Sequence, residues 1–119
     1  MSLQQDATTL YEMIFSGQLL AAYDKYYADD VVMQENSEAP TVGKAANRER
    51  EVAFLESIEA FHDAGVVNLA VNEATGVVMI ENFMDVTFKN GFRAKMAQVA
   101  VQTWKNGQIV HERFYYNKG

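Results

Sequence analysis

Two Asn-Gly dipeptides near the end of the chain constrain its fold more than any other sequence feature. Asn90-Gly91 and Asn106-Gly107 each separate two segments rich in β-branched and aromatic residues. Asn-Gly favours a two-residue type I′ turn, because both central positions of that turn need a positive φ. We therefore predict three consecutive antiparallel strands, at residues 77–88, 92–105 and 108–117.

Two-residue turns also predict the register, with Lys89 opposite Phe92 and Lys105 opposite Gln108. Alternate side chains of a strand point to opposite faces of the sheet. One predicted face is mixed and partly aromatic, and carries Glu81, Phe83, Gln98, Gln102, Trp104, His111, Arg113 and Tyr115. The other is more apolar, and carries Ile80, Asn82, Met84, Val99, Glu112, Phe114 and Tyr116. We expect the apolar face to meet the helices. The mixed face has the composition of a protein interface, which favours a homodimer over the alternative of a plain solvated face.

The first half of the chain predicts helices, because its apolar residues recur every three or four positions. A first helix ends at Gly17 and a second follows at once. A short strand is expected at 31–35, and the longest helix at 44–62. A strand at 66–73 then leads into the three strands above. Helices followed by a meander indicate an α+β fold.

Length and composition limit the functions that can be expected. The 119 residues fit one domain, spanning 1–119. A net charge of -6 disfavours nucleic acid and anionic membrane as partners. Cysteine is absent and the two histidines are not at metal-ligand spacing, so we expect no bound metal. The sequence also lacks a glycine-rich phosphate-binding loop, so we expect no cofactor. The chain shows no apolar segment typical of a signal peptide or a membrane span, and we expect a cytoplasmic protein.

The element order, the segment Tyr27-Ala28-Asp29-Asp30-Val31 and the last hairpin at 99–110 together resemble the nuclear-transport-factor-2-like superfamily. Within it, the chain is similar to the SnoaL-like (polyketide-cyclase-like) group, over nearly its whole length. The resemblance implies a cone-shaped, cystatin-like fold, in which three helices back a curved antiparallel sheet. It also implies a pocket between the helices and the concave sheet face, and homodimers through the convex face in many members.

Ketosteroid isomerases of this superfamily allow a comparison residue by residue. Their catalytic base corresponds to Glu35, and their oxyanion tyrosine to Tyr11. Their second oxyanion acid falls near Val99, and valine cannot donate a hydrogen bond. The resemblance therefore does not extend to steroid isomerase activity.

The candidate catalytic residues are Glu35, Tyr11 and Glu112. The expected pocket residues are Met33, Phe54, Ile58, Ile80, Asn82, Met84, Val99, Phe114 and Tyr116. The leading hypothesis is a SnoaL-like protein that binds an apolar, carbonyl-bearing small molecule as a cofactor-free isomerase, cyclase or dehydratase. The alternative is a non-catalytic ligand-binding or protein-association module. A pocket of roughly 300 Å³ or more, reached by Glu35 or Glu112, would favour the enzyme.

Overall fold

The computed structural model describes residues 2–118, which form three helices and one six-stranded sheet. The helices are α1 (Leu3–Phe15), α2 (Leu19–Tyr26) and α3 (Lys44–Ser57). The strands are β1 (Tyr27–Glu35), β2 (Thr41–Val42), β3 (Ile58–Asn72), β4 (Val77–Phe88), β5 (Arg93–Lys105) and β6 (Gln108–Tyr115). The sheet order is β2-β1-β6-β5-β4-β3, and the predicted α+β fold is confirmed. The sheet is mixed, because β1 runs parallel to β6 while the other neighbours are antiparallel.

The helices α1 and α2 cover one face of the sheet, which we call the inner face. The helix α1 begins with a capping box, in which the Ser2 hydroxyl accepts from the Gln5 backbone amide at 3.1 Å. Fully buried apolar side chains of the core are Ala7, Leu10, Ala22, Val31, Val78, Ile80, Ala100 and Ile109. No helix within residues 2–118 is long and apolar enough to cross a membrane.

The third helix is shorter than the sequence predicts. It ends at Ser57, and the residues that follow belong to β3, which pairs with β4 from Ile58 opposite Phe88 onward. Ile58 and Phe61 continue the helical spacing of α3, but pairing with β4, interrupted by bulges, satisfies the backbone groups of this segment. His62 is therefore exposed on a strand, where its Nε2 lies 2.7 Å from the Thr87 hydroxyl.

The predicted register is wrong at the first Asn-Gly turn and right at the second. The Phe88 amide donates to the Phe92 carbonyl, and the Gly91 amide donates to the Phe88 carbonyl, each at 2.8 Å. This is a three-residue loop with a positive φ at Gly91 alone, typical of a type I turn with a glycine bulge. At the second turn Asn106 and Gly107 both have positive φ, and Lys105 faces Gln108 as predicted.

The first turn moves every side chain of β5 to the opposite face from the one predicted. Gln98, Gln102 and Trp104 therefore lie on the inner face, and Val99 lies on the outer face. A second irregularity, a bulge in β6 opposite Thr103 and Trp104, shifts the register again, so that the β6 side chains beyond it point to the faces that the sequence predicts. The strands β4 and β6 keep the faces that the sequence predicts, with Glu81, Phe83, His111, Arg113 and Tyr115 outside and Ile80, Asn82, Met84, Glu112 and Phe114 inside.

We predict that Gly76→Ala destabilises the protein more than a similar change elsewhere. Gly76 has φ +73, and a Cβ there would lie 2.6 Å from the Trp104 carbonyl oxygen. The Trp104 amide also donates to the Gly76 carbonyl at 2.8 Å, which keeps the two backbones close. The expected loss is about 3 kcal/mol in the free energy of unfolding by urea, from the left-handed backbone and the clash together.

The matched control is Gly17→Ala. Gly17 also has a positive φ, +86, but a Cβ there meets nothing within 4 Å. This variant should lose only the backbone contribution, about 1 kcal/mol. Equal losses at the two positions would contradict the steric explanation.

Candidate functional site

A carboxyl group is buried in the interior, and no cation among residues 2–118 lies beside it. Glu112 is 1% exposed, and its Oε1 accepts from the Tyr27 hydroxyl at 2.5 Å. Its Oε2 accepts from the Gln102 side-chain amide at 2.7 Å. The Trp104 indole N–H in turn donates to the Gln102 oxygen at 2.9 Å. These three hydrogen bonds explain how the interior tolerates this carboxyl, because a buried polar group without a partner is costly.

The direction of this hydrogen-bond chain is fixed by Trp104. An indole nitrogen can only donate, so the Gln102 oxygen must face Trp104 and its NH₂ must face Glu112. A proton on Glu112 can then be placed only at Oε1, beside Tyr27. Burial raises the pKa of Glu112 to about 7, although the hydrogen bonds from Tyr27 and Gln102 act in the opposite direction.

A small pocket lies between β1, α3 and β6, next to this network. Met33 and Phe114 form its apolar wall, and the other lining residues are Gln34, Glu35, Glu38, Ala39, Thr41, Asn47, Arg50 and Glu51. The cavity volume is about 60 Å³, well below the ~300–1,000 Å³ typical of sites for drug-sized ligands. The pocket is therefore smaller than the size that we set for the enzyme hypothesis, and it fits only a ligand of a few atoms.

Glu35, the predicted base, lines this pocket but has both oxygens occupied. The Tyr116 hydroxyl donates to Oε1 and the Arg50 guanidinium donates to Oε2, both at 2.5 Å. Arg50 also donates to the Thr41 hydroxyl at 3.1 Å. The hydrogen bond to Glu35 raises the pKa of the Tyr116 phenol to about 12, which keeps that hydroxyl a donor. A carboxylate held in this way by a cation and a phenol is poorly available as a base.

The sequence analysis missed Glu51, which also lines the pocket. Glu51 is half-buried on α3, and within residues 2–118 no side chain or backbone group makes a hydrogen bond or an ion pair with it. Burial raises its pKa to about 7, the charges of Glu112 and Glu35 add to this, and Arg50 opposes it.

A sequence signal for Glu51 did exist. Glu51 follows Asn47 by four residues, and such pairs lie on one side of a helix. Asn47 is buried, and its amide donates to the Thr41 and Gly43 carbonyls at the start of α3. We read the buried side of the helix from apolar residues alone, and so overlooked this polar pair.

Tyrosines from three elements surround the buried carboxyl. Tyr11 on α1 and Tyr27 on β1 are buried, and burial together with the charges of Glu112 and Glu51 raises the pKa of each phenol well above its usual range. For Tyr23 on α2 the pKa is raised to about 12, mainly by burial. These phenols therefore stay protonated around the acidic groups.

The structure brings only part of the predicted pocket together. Met33, Glu35 and Phe114 line the cavity, and Tyr116 reaches it through Glu35. Within residues 2–118 the lining does not include Phe54, Ile58, Ile80, Asn82, Met84 or Val99. Phe54 instead packs edge-on against Phe88, with ring centroids 6.4 Å apart, and the buried Asn82 amide donates to the Ile80 carbonyl at 3.1 Å. In the same part of the chain no group of three or more His, Asp or Glu side chains is arranged to hold a metal ion.

The raised pKa values predict that the protein loses stability as pH rises from 5 to 7. Unfolded Glu112 releases its proton near pH 4.3, whereas folded Glu112 has a pKa raised to about 7. Between these values the folded state binds more protons than the unfolded state. The free energy of unfolding therefore falls with rising pH, by at most about 1.4 kcal/mol per pH unit for one carboxyl. Glu51 acts in the same direction, and urea unfolding at pH 5, 6 and 7 measures the slope.

Two variants identify the carboxyl groups that cause this dependence of stability on pH. Glu112→Gln should reduce the slope, because position 112 no longer titrates. Glu38→Gln removes an exposed carboxyl that pairs with Lys118 at 3.1 Å, and should leave the slope as in the unchanged protein. A free energy of unfolding that rises between pH 5 and pH 7 in the unchanged protein would contradict the prediction.

Comparison with known proteins places this fold among structures of one superfamily. A candidate SnoaL-like polyketide cyclase from Mesorhizobium loti is 33% identical, with a TM-score of 0.84 and coverage of 98% of this chain and 100% of that one. An NTF2-like protein of unknown function from Burkholderia pseudomallei is 17% identical, with a TM-score of 0.82 and coverage of 98% and 92%. A candidate isomerase from Bacillus subtilis is 18% identical, with a TM-score of 0.75 and coverage of 98% and 90%.

Comparison of the sequence alone with known families agrees with the comparison of structures. No curated protein matches the chain. The SnoaL-like domain, as a family, matches residues 1–116, which is nearly the whole sequence. The resemblance inferred from the element order and the last hairpin is confirmed, and the chain belongs to the SnoaL-like domain family.

Proposed function

We propose that this SnoaL-like protein catalyses cofactor-free proton transfer on a small carbonyl compound, with Glu51 as the general base. One observation carries the proposal: Glu51 lines the pocket with no cation or hydrogen-bond donor on its carboxyl among residues 2–118, whereas Arg50 and Tyr116 engage neighbouring Glu35. A general base works best when its pKa lies near the working pH, and the raised value of about 7 at Glu51 meets this condition.

The proposed reaction needs only groups that the pocket already contains. The Glu51 carboxylate takes a proton from the carbon next to the substrate carbonyl, and the electron pair of that C–H bond moves to the carbonyl oxygen. Arg50 lies in the pocket lining and has five N–H donors, so it can stabilise the resulting enolate oxygen. With a β,γ-unsaturated ketone the enolate is a dienolate; Glu51 returns the proton to the γ-carbon while the electron pair on oxygen re-forms the carbonyl and the C=C bond shifts to the α,β position, which completes an isomerisation. The candidate isomerase and polyketide cyclase among the similar structures support this class of reaction.

The size of the pocket limits the substrate. A cavity of about 60 Å³ holds a short ketone and excludes a fused polycyclic ring system. Met33 and Phe114 would contact the apolar part of the substrate, while the carboxyl and guanidinium groups face its carbonyl end. The expected substrate class is therefore a small ketone or enone.

The proposal predicts that the protein speeds up deuterium incorporation next to a carbonyl. Acetone and cyclopentanone in D₂O at pH 7.5 serve as probes, and loss of the α-proton signal in ¹H NMR measures the rate. Glu51→Gln should remove most of the rate above buffer, at least about 100-fold, because removal of a general base typically costs 10²–10⁴-fold.

The matched control is Glu56→Gln, which changes an exposed carboxyl on the same helix. This variant should exchange α-protons as fast as the unchanged protein. Equal rates for Glu51→Gln and the unchanged protein would exclude Glu51 as the base.

The small cavity and the ion pair at Glu35 also favour a second candidate, a non-catalytic ligand-binding module. A module of this kind would bind the same ketones without exchanging their protons. Chemical-shift changes at Met33 and Phe114 on ketone addition, with no deuterium incorporation, would favour it over the enzyme.

We also propose that the protein forms a homodimer through the outer face of the sheet. Met79 is 49% exposed and Tyr115 is 44% exposed on this face, and Val99 and Val101 lie between them on β5. The Arg113 guanidinium lies 4.8 Å from the centre of the Tyr115 ring. Exposed aromatic, methionine and arginine side chains are enriched at protein interfaces, which supports this face as the contact.

The homodimer predicts that Met79→Glu shifts the protein towards the monomer in sedimentation velocity. The charge would be placed on the outer face beside Val101, where burial against a second copy is costly. Phe92→Glu is the control, because Phe92 is 63% exposed at the β4–β5 turn, away from this face. A Met79→Glu protein that sediments like the unchanged protein would rule out this interface.

A further inference from the structure

We propose that Glu112 is a positioning residue of the pocket: its charge, buried behind the pocket wall, decides whether Glu51 keeps its proton at neutral pH. The inference rests on the proposed function only in taking Glu51 as the reactive carboxyl. It adds a second carboxyl that touches no substrate and acts through the first.

The sheet register places Glu112 directly behind the pocket. Glu112 lies opposite Met33 in the parallel pair β1–β6, and Phe114 lies opposite Glu35. Phe114 is also the next side chain after Glu112 on the inner face of β6. Met33 and Phe114 form the apolar wall of the pocket, so the two residues that neighbour Glu112 in the sheet also line the cavity that Glu51 lines.

The groups around Glu112 leave its charge uncompensated. It faces phenols from α1 (Tyr11), α2 (Tyr23) and β1 (Tyr27), the Gln102 amide from β5, and Glu51 from α3. Within residues 2–118 no lysine, arginine or histidine pairs with Glu112 or with Glu51, and the nearby Arg50 is paired with Glu35. The charge of Glu112 raises the pKa of Glu51 in this poorly screened interior, and we expect the two carboxyls to titrate as a coupled pair.

The hydrogen-bond network lets Glu112 change its charge without rearranging. When Glu112 is charged, the Tyr27 hydroxyl donates to Oε1; when Glu112 is protonated, the proton sits on Oε1 and the Tyr27 oxygen accepts it. The bonds from Gln102 and Trp104 stay the same in both states. Glu112 can therefore gain or lose its proton while the core remains packed.

The variant Glu112→Gln removes the charge and can keep the network in the arrangement of the protonated carboxyl. Its side-chain oxygen accepts from the Gln102 NH₂, and its own NH₂ donates to the Tyr27 oxygen. The double variant Gln102→Glu with Glu112→Gln keeps instead the arrangement of the charged carboxyl, in which the Tyr27 hydroxyl donates. The carboxylate at position 102 accepts from Trp104 and from the amide at position 112, whose oxygen accepts from Tyr27. This exchange keeps the volume and all three hydrogen bonds, and it moves the charge one strand further from the pocket.

Carbon-detected NMR of side-chain carboxyls, between pH 4 and pH 9, measures the titration of each glutamate. In the unchanged protein we expect the Glu51 and Glu112 curves to share two steps, since coupled sites report the pair. In Glu112→Gln and in the double variant we expect a single step for Glu51, with its midpoint lowered by about one pH unit. Glu56→Gln, which removes an exposed carboxyl of the same helix outside the pocket lining, should leave the Glu51 curve unchanged.

Single-step, independent curves for Glu51 and Glu112 in the unchanged protein would overturn the proposal, even if neither variant folds. An unchanged Glu51 midpoint in the double variant would overturn it as well. A merely structural role for Glu112 would alter stability and leave the Glu51 midpoint in place. The measurement needs no substrate, so absence of deuterium exchange would refute the proposed function and leave this test intact.

Discussion

The Glu112 carboxyl sits on the inner face of the sheet with two hydrogen-bond partners, Tyr27 and Gln102, and with no cation beside it among residues 2–118. The surrounding elements are arranged to allow it. Tyr27 follows immediately after α2, so the end of that helix positions the phenol that donates to Oε1. The glycine bulge at Gly91 turns β5 so that Gln102 and Trp104 point inward and complete the second set of hydrogen bonds. With the two-residue turn that the sequence suggests, Gln102 would point outward and one carboxyl oxygen would lack its donor, at a cost of roughly 1–3 kcal/mol.

The distinction between what the sequence could and could not predict is clearest in the hairpins. Alternation, turn residues and helical spacing were enough for the α+β fold, the four strands from β3 to β6 and the faces of β4 and β6. Turn type is set by backbone geometry that Asn-Gly permits in more than one form, so the face of β5 was predicted wrongly. The end of α3 was also predicted wrongly, because Ile58 and Phe61 continue the helical spacing although this segment pairs with β4.

For the candidate site, too, the sequence predicted position better than chemistry. Glu35, Met33 and Phe114 were found from position in the chain and resemblance, and the structure places them around one cavity. The chemistry of each carboxyl was beyond the sequence, because it depends on what lies within a few ångströms. Arg50 engages Glu35, while Glu51 from the same helix has no such partner among the described residues. The carboxyls of Glu35 and Glu51 line the same pocket, but Arg50 holds Glu35 in an ion pair and leaves Glu51 without one among residues 2–118, so the two groups differ in chemical character.

The parallel pairing of β1 with β6 also has a consequence for how the protein is made. Residues 27–35 and 109–114 are neighbours in the sheet, so the pocket combines the first strand of the chain with its last. Contacts between segments so distant in sequence form slowly, since a long loop must close before they contribute. During synthesis β1 is exposed early but cannot pair with β6 until residues 109–114 have left the ribosome. The nascent protein therefore has no pocket before β6 is available, and a chain that stops before residue 112 lacks the buried Glu112 carboxyl.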